Sequence, residues 1–202
     1  MGYDHVHAVV YRTYGVPVAL TIEGTAPTAR PGTAVSLDPF ALLEQIRAAG
    51  ATHVITVPDT HQKSLLALLS RSDEPQLITV CTEDEAMGVN LGLYLGGARP
   101  LLLIQNSGFY AAMNTIQGLS LDARVPACML IGEFARDPAV APADNAMRLV
   151  RLLEPTLTVW QIPYHWLDHP TNVATIPVAM EQAWADRGPV ALLVGASTLE
   201  LP

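Results

Sequence analysis

From Ser36 onward, short apolar runs alternate with stretches whose apolar residues recur every three to four positions. The runs His53 to Val57, Leu77 to Cys81, Leu101 to Gln105, Ala127 to Ile131, Thr156 to Gln161 and Val190 to Gly195 predict strands. The helical stretches fall between them, at about Gln62 to Leu69, Asp84 to Leu95, Ala111 to Leu119, Asn145 to Leu153 and Thr171 to Ala185. A further helix precedes the first strand. Ser36-Leu37-Asp38-Pro39 places a capping residue before a proline at the first helical position, and Phe40, Leu43, Ile46 and Ala49 follow at helical spacing. Gly50 ends it. Unbroken apolar strands separated by helices predict an α/β domain, a three-layer sandwich whose mostly parallel central sheet is covered on both faces.

Residues 1–35 stand outside this alternation as an N-terminal extension, and residues 36–202 form the domain. Two β-prone runs, His7 to Tyr11 and Val16 to Ile22, flank Tyr14-Gly15 and read as a hairpin; Gly24 to Thr33 reads as a linker. His5 and His7 belong to this extension and are expected in solvent.

The mean hydropathy of +0.28 is high for a freely soluble monomer and implies apolar surface facing a partner. A net charge of −8 argues against nucleic acid and anionic membranes as partners. No apolar run reaches the roughly 20 residues of a membrane span, and the N-terminus lacks a basic stretch followed by an apolar one, so a cytoplasmic location is expected. Cys81 and Cys128 lie in no paired motif and are expected as small buried hydrophobes of a reducing compartment.

Parallel sheets bind ligands at the carboxyl ends of their strands, so the exits carry the candidate chemistry. Phosphate-binding P-loop, Gly-x-Gly-x-x-Gly and Gly-x-Ser-x-Gly patterns are all missing from the sequence. His165 and His169 sit among prolines with no third ligand nearby, and no metal site is expected. Glu83-Asp84-Glu85 suits the positive end of a helix dipole, and that reading alone accounts for the triplet. The helix that follows is unusual, because Gly88, Gly92 and Gly96 share one face at a local cost of about 1 kcal/mol each. Either the face packs tightly on the sheet, or another backbone or a flat ligand approaches it. Gln105-Asn106-Ser107-Gly108 brings amides and a hydroxyl to a strand exit, as a pocket requires and as a surface turn also would.

Taken in order, TEDEAMGVNLGLYLGG, ARPLLLIQNSG and Asn114 resemble the pyrimidine-binding domain of thiamine-diphosphate enzymes. Val57-Pro58-Asp59-Thr60, with Lys63 three residues on, resembles the Val-Pro-Asp-Ser segment of the sulfopyruvate and phosphonopyruvate decarboxylases. The resemblance runs from about Asp38 to Gly195 and implies the thiamine-diphosphate-binding fold. It implies that one glutamate, Glu83 on the family's spacing to Gly92 and Tyr94 with Glu85 as the rival, shares a proton with N1′ of the cofactor's aminopyrimidine and so activates the thiazolium. Gln105, Asn106, Ser107 and Gly108 are implied beside the cofactor, and Asp59, Thr60 and His61 on the substrate side. Lys63 is either a counter-ion for an anionic tail or a solvated residue. Phe109 and Tyr110 stand where the family has small residues, and are expected to narrow the pocket.

The family holds diphosphate and Mg²⁺ with a Gly-Asp-Gly motif on a second domain, and this chain contains no Gly-Asp dipeptide. The resemblance therefore implies a partner subunit that binds the Mg²⁺ and the diphosphate, in an assembly such as a heterotetramer. It implies decarboxylation of a small 2-oxo acid to an aldehyde. The alternatives are carboligation on the same cofactor, or a non-catalytic subunit with a degenerate site.

Overall fold

Asp38 opens the main domain as predicted, its carboxylate accepting the Phe40 N–H at 3.0 Å ahead of α1 (Pro39–Ala48). Gly50 closes the helix in the left-handed region at φ 69°, with Ala51 N–H donating to Ile46 O. The buried stripe of α1 is Leu42, Leu43 and Ile46, whereas Phe40 points outward. The computed structural model describes residues 10–13, 16–19 and 34–201. In the N-terminal extension β1 (Val10–Thr13) pairs antiparallel with β2 (Val16–Ala19). The Gly24 to Thr33 segment, His5, His7 and the outer ends of the expected hairpin lie outside the described residues.

The domain is built on six parallel strands: β3 (His53–Thr56), β4 (Gln76–Thr79), β5 (Pro100–Gln105), β6 (Ala127–Gly132), β7 (Tyr164–Trp166) and β8 (Pro189–Val194). Their spatial order is β4-β3-β5-β6-β8-β7. One face is covered by α1, α2 (Lys63–Leu69) and α8 (Thr175–Asp186), whose Leu42, Leu65 and Met180 pack on Val54, Leu103 and Leu192. The other carries α3 (Glu83–Leu95), α4 (Asn106–Ala111) and α7 (Leu153–Val159), with Met87, Phe109 and Leu157 in one cluster with Leu102, Met129 and Leu193. Strand residues alternate between these clusters, which makes the three-layer sandwich that the apolar runs predict. Cys128 lies inside, where burial pushes its thiol up to about 12. Cys81 is exposed instead, because it sits just past the end of β4.

Three expectations fail locally. Thr156 to Gln161, predicted as strand from its β-branched residues, is mostly α7, and the edge strand comes later as β7. Leu153 and Leu157, one helical turn apart, are both fully buried, and that burial outweighs β-propensity. The helix then stops where Gln161 turns left-handed at φ 56° and Ile162 N–H reaches back to Leu157 O. In the second case the helix expected at Ala111 begins at Asn106, directly on the end of β5. It continues through α5 (Met113–Thr115) into a π-helical stretch, Ile116–Asp122. The helix expected over Asn145 to Leu153 is shorter, a 3₁₀ turn at Pro142–Asp144 followed by α6 (Arg148–Arg151).

From β3 the chain moves outward to β4 and then returns across β3 to β5. The strand order reverses between β3 and β5, so a crevice opens at their carboxyl ends, the usual ligand position in such sheets.

Candidate functional site

The three acidic residues at the start of α3 have separate surroundings. Thr82 caps the helix, its Oγ1 accepting Glu85 N–H at 3.2 Å, while Glu85 folds back to accept Cys81 N–H at 2.8 Å. The Glu85 carboxylate thus serves the helix end, a variant of the capping box. Asp84 accepts the hydroxyl of Thr115. Glu83 runs over the backbone of α4 instead, and a Cβ on residue 108 would overlap its carboxylate and its Cγ. Gly108 is the residue that lets the Glu83 side chain lie there.

Asp59 and Gln105 join the two sides of the β3/β5 crevice. Asp59 Oδ1 accepts the His61 N–H at 2.7 Å and a hydrogen bond from the Gln105 amide. Its Oδ2, buried, has no hydrogen-bond partner among the described residues and lies over Gly132, where a Cβ would come within 2.7 Å of it. Gln105 Oε1 accepts the Ser107 hydroxyl at 3.3 Å. Asn106 is fully buried, accepting Ser107 N–H on Oδ1 and donating from Nδ2 to Phe134 O at 3.3 Å. The implied cofactor-side residues therefore occupy one strand-to-helix junction, and Glu83 reaches it from α3.

Thr60 and His61 line a cavity of about 240 Å³ with Phe134, Ala135, Arg136, Pro138, Ala196 and Ser197. The ring of His61 lies 3.0 Å from Val194 O through Nε2 and 3.5 Å from Ser197 Oγ through Nδ1. Burial lowers its pKa below the ordinary imidazole value, opposed by the charge of Asp59.

Behind this cavity lies a charge cluster that sequence reasoning misses. Arg136 donates to Glu133 at 2.6 Å and, bidentately, to Asp168 at 3.1 and 3.0 Å, all three side chains shut off from solvent. The guanidinium stacks on Trp166 at 4.9 Å and lies over Gly195, where any Cβ would collide with it. It ties together the exits of β6, β7 and β8. Burial pushes Glu133 up to about 7 despite Arg136, and raises Asp168 for the same reason. Glu133 and Arg136 are three positions apart, but Asp168 lies 32 residues further on and the three follow no motif; the hint in the sequence is that Gly132 and Gly195 sit where the strands end.

One other expectation changes, and the structure bears on two readings that the sequence leaves open. Phe109 is fully buried in the core beneath α4, edge-on to Tyr110 at 5.7 Å, and Tyr110 donates to Leu149 O at 3.1 Å. These aromatics are taken up by packing, because the helix starts earlier than expected and turns Phe109 inward. Lys63 pairs with Glu200 at 2.8 Å on the surface, both side chains well exposed. Gly88 and Gly92 have nothing within 4 Å of where a Cβ would stand, so the glycine row is open and does not pack on the sheet. Among the described residues, no group of three or more His, Cys, Asp or Glu could hold a metal ion.

No protein-family model matches the chain. In sequence it is similar to sulfopyruvate decarboxylase subunit alpha of Methanocaldococcus jannaschii, 28% identical over 158 residues, covering 78% of this chain and 92% of that one. The subunit alpha of Methanococcus maripaludis is 35% identical over 91 residues, covering 45% of this chain and 54% of that one. Among solved structures, benzoylformate decarboxylase from Polynucleobacter necessarius superposes with TM-score 0.61 at 16% identity, covering 83% of this chain and 32% of that one. An enzyme from Mycobacterium smegmatis, proposed to depend on thiamin diphosphate, gives TM-score 0.58 at 18% identity, covering 81% and 32%. The chain spans about a third of the length of these solved structures, with which it shares its fold.

Proposed function

We propose that this chain is the pyrimidine-binding subunit of a thiamine-diphosphate-dependent decarboxylase acting on a small 2-oxo acid of the sulfopyruvate or phosphonopyruvate kind. The observation that carries this reading is the placement of Glu83. Of the three carboxylates at the head of α3, Glu85 is committed to the helix cap and Asp84 to Thr115, while Glu83 forms no hydrogen bond among the described residues and lies over Gly108. A carboxyl that shares a proton with a heterocyclic nitrogen needs this: a place beside a flat surface, and lone pairs not already spent.

The residues present fit the aminopyrimidine end of the cofactor. Gly108 leaves room for the Glu83 side chain at the junction, and Gln105 and Ser107 offer amide and hydroxyl groups there. Thiamine diphosphate supplies, when bound, the electron sink that decarboxylation of a 2-oxo acid needs. Glu83 would hold and return the proton at the ring nitrogen. Asp59, Thr60 and His61 would bound the substrate, with Asp59 fixed by Gln105 and by the His61 N–H.

Diphosphate and Mg²⁺ belong, in this reading, to a second subunit carrying the Gly-Asp-Gly motif that this chain lacks. The relatives' designation as subunit alpha supports a heteromer, with two copies of each chain a natural stoichiometry. The test is to assemble the chain with a Gly-Asp-Gly partner and follow carbon dioxide release from sulfopyruvate, phosphonopyruvate and pyruvate. Release that needs both chains and the cofactor supports the proposal. Condensation products in place of aldehyde would convert it to carboligation, and no cofactor binding would leave a non-catalytic subunit.

A further inference from the structure

His61 has a fixed orientation with a chemical consequence. Val194 O is a carbonyl and can only accept, so the bond at 3.0 Å places a hydrogen on His61 Nε2 in both protonation states. Nδ1 is the atom left to change. It faces Ser197 Oγ at 3.5 Å, at the wall of the cavity that Thr60, Phe134, Pro138 and Ala196 complete. When neutral, the imidazole offers that cavity a lone pair; when protonated, it offers an N–H beside the hydroxyl of Ser197.

We propose that His61 and Ser197 receive an oxyanion group of the bound substrate, and that His61 takes up one proton on Nδ1 as the anion arrives. The proton leaves a hydronium ion or buffer acid in solvent, whose bond to it breaks as Nδ1–H forms; no bond of the anion changes. Resting on the reading of Thr60 and His61 as the substrate side, this adds Ser197 to the site and names the chemistry recognised.

The surroundings favour an anion coupled to protonation. Burial disfavours an imidazolium and the charge of Arg136 adds to this, while Asp59, whose backbone segment carries His61, stabilises it. Val194 O and Ala196, from the end of β8, also favour the charged form. Arg136 itself is held by Glu133 and Asp168, so the cluster behind the wall is largely self-compensated. An anion beside Nδ1 adds the missing attraction. The Nδ1–H and the Ser197 hydroxyl then face a cavity that Thr60, Phe134, Arg136, Pro138 and Ala196 also line.

The experiment is a titration of the full chain labelled with ¹³C and ¹⁵N in histidine, with and without ethanesulfonate, and separately with acetate. The expected result is an Nε2–H tautomer throughout and a His61 midpoint that rises by at least one pH unit when ethanesulfonate saturates the site. By reciprocal linkage the anion then binds about tenfold more weakly for each pH unit between the free and the anion-bound midpoints, and no further above the bound one. His165, bonded to Gln182 on β7 and α8, is the reference that stays in place. Ser197→Ala should remove most of the shift. A rise with acetate alone would place a carboxylate there and not a sulfonate-like tail. An Nδ1–H tautomer, or a midpoint unmoved by both anions, overturns the proposal. Cofactor binding by the assembled complex is a separate readout, so failure of the functional reading leaves this result distinguishable.

Discussion

The carboxylate of Glu83 occupies the space in which residue 108 would carry a Cβ, so Glu83 and Gly108 are sterically exclusive of any larger pairing. Gly108→Ala must displace the flexible Glu83 side chain and need not move the backbone. Alanine also gains up to about 1 kcal/mol over glycine inside a helix. The expected outcome is an unchanged or slightly raised melting temperature together with at least a tenfold loss of cofactor-dependent turnover in the assembled enzyme. A variant that melts early with normal turnover would place the two residues in the scaffold alone.

Arg136 is the clasp over the exits of β6, β7 and β8. Arg136→Met leaves Glu133 and Asp168 buried without their cation, and breaking a buried pair in this way costs about 3–5 kcal/mol. Urea unfolding of the chain should show a loss of that size at pH 8. The loss should shrink at pH 5, where both carboxyls can take protons.

Glu133 also sets a pH dependence of stability. Its folded-state pKa, raised to about 7 by burial, stands above the unfolded value, so the native state binds the extra proton between about pH 4.5 and 7. Stability contributed by this group is present at the acid end and is lost as pH rises through that window. His61, lowered by burial, works in the opposite sense, losing stability as pH falls below its unfolded value. The difference between wild type and Glu133→Gln isolates the carboxyl: the wild type should lose stability relative to the variant from pH 5 to pH 7.5. A difference that is flat across that range would mean Glu133 stays ionised.

Gly88 and Gly92 look out from α3 into open space, unlike Gly132, whose Cβ would press on Asp59. Gly92→Ala should therefore stabilise the isolated chain by about 1 kcal/mol, measured by urea unfolding. Gly132→Ala should destabilise it, since Asp59 would have to leave its bonds to Gln105 and His61.

The sheet was legible because burial on both faces leaves strands as unbroken apolar runs, and β3, β5, β6 and β8 each have one. The edge strand β7 was not, since three residues with one fully inward position carry little pattern, while Thr156 to Val159 mimicked a strand on one side of a helix. The strand exits were legible as places, and Asp59, Gln105 and Asn106 do meet there. Glu83 could be preferred to Glu85 only by the spacing of a resemblance; the cap made by Glu85 and the seat that Gly108 gives Glu83 are contacts between α3 and its surroundings that spacing does not encode. Arg136 pairs locally with Glu133, three positions away, but its partnership with Asp168 is tertiary. Its ion pair to Asp168 joins residues 32 positions apart, and each alone reads as an ordinary surface charge.

The central claim rests on Glu83, and paired substitutions test it most directly. Glu83→Gln keeps the shape but removes the titratable proton. Glu85→Gln, in the same helix turn, weakens only the bond to Cys81 N–H. Turnover of the assembled, cofactor-loaded enzyme should fall by about 10²- to 10⁴-fold for Glu83→Gln, the range of a lost acid–base group. It should stay within a few-fold of wild type for Glu85→Gln, with both melting temperatures close to wild type or, for Glu85→Gln, slightly lowered. Equal and mild losses from the two substitutions would contradict the account and return the acidic triplet to the role of a helix cap.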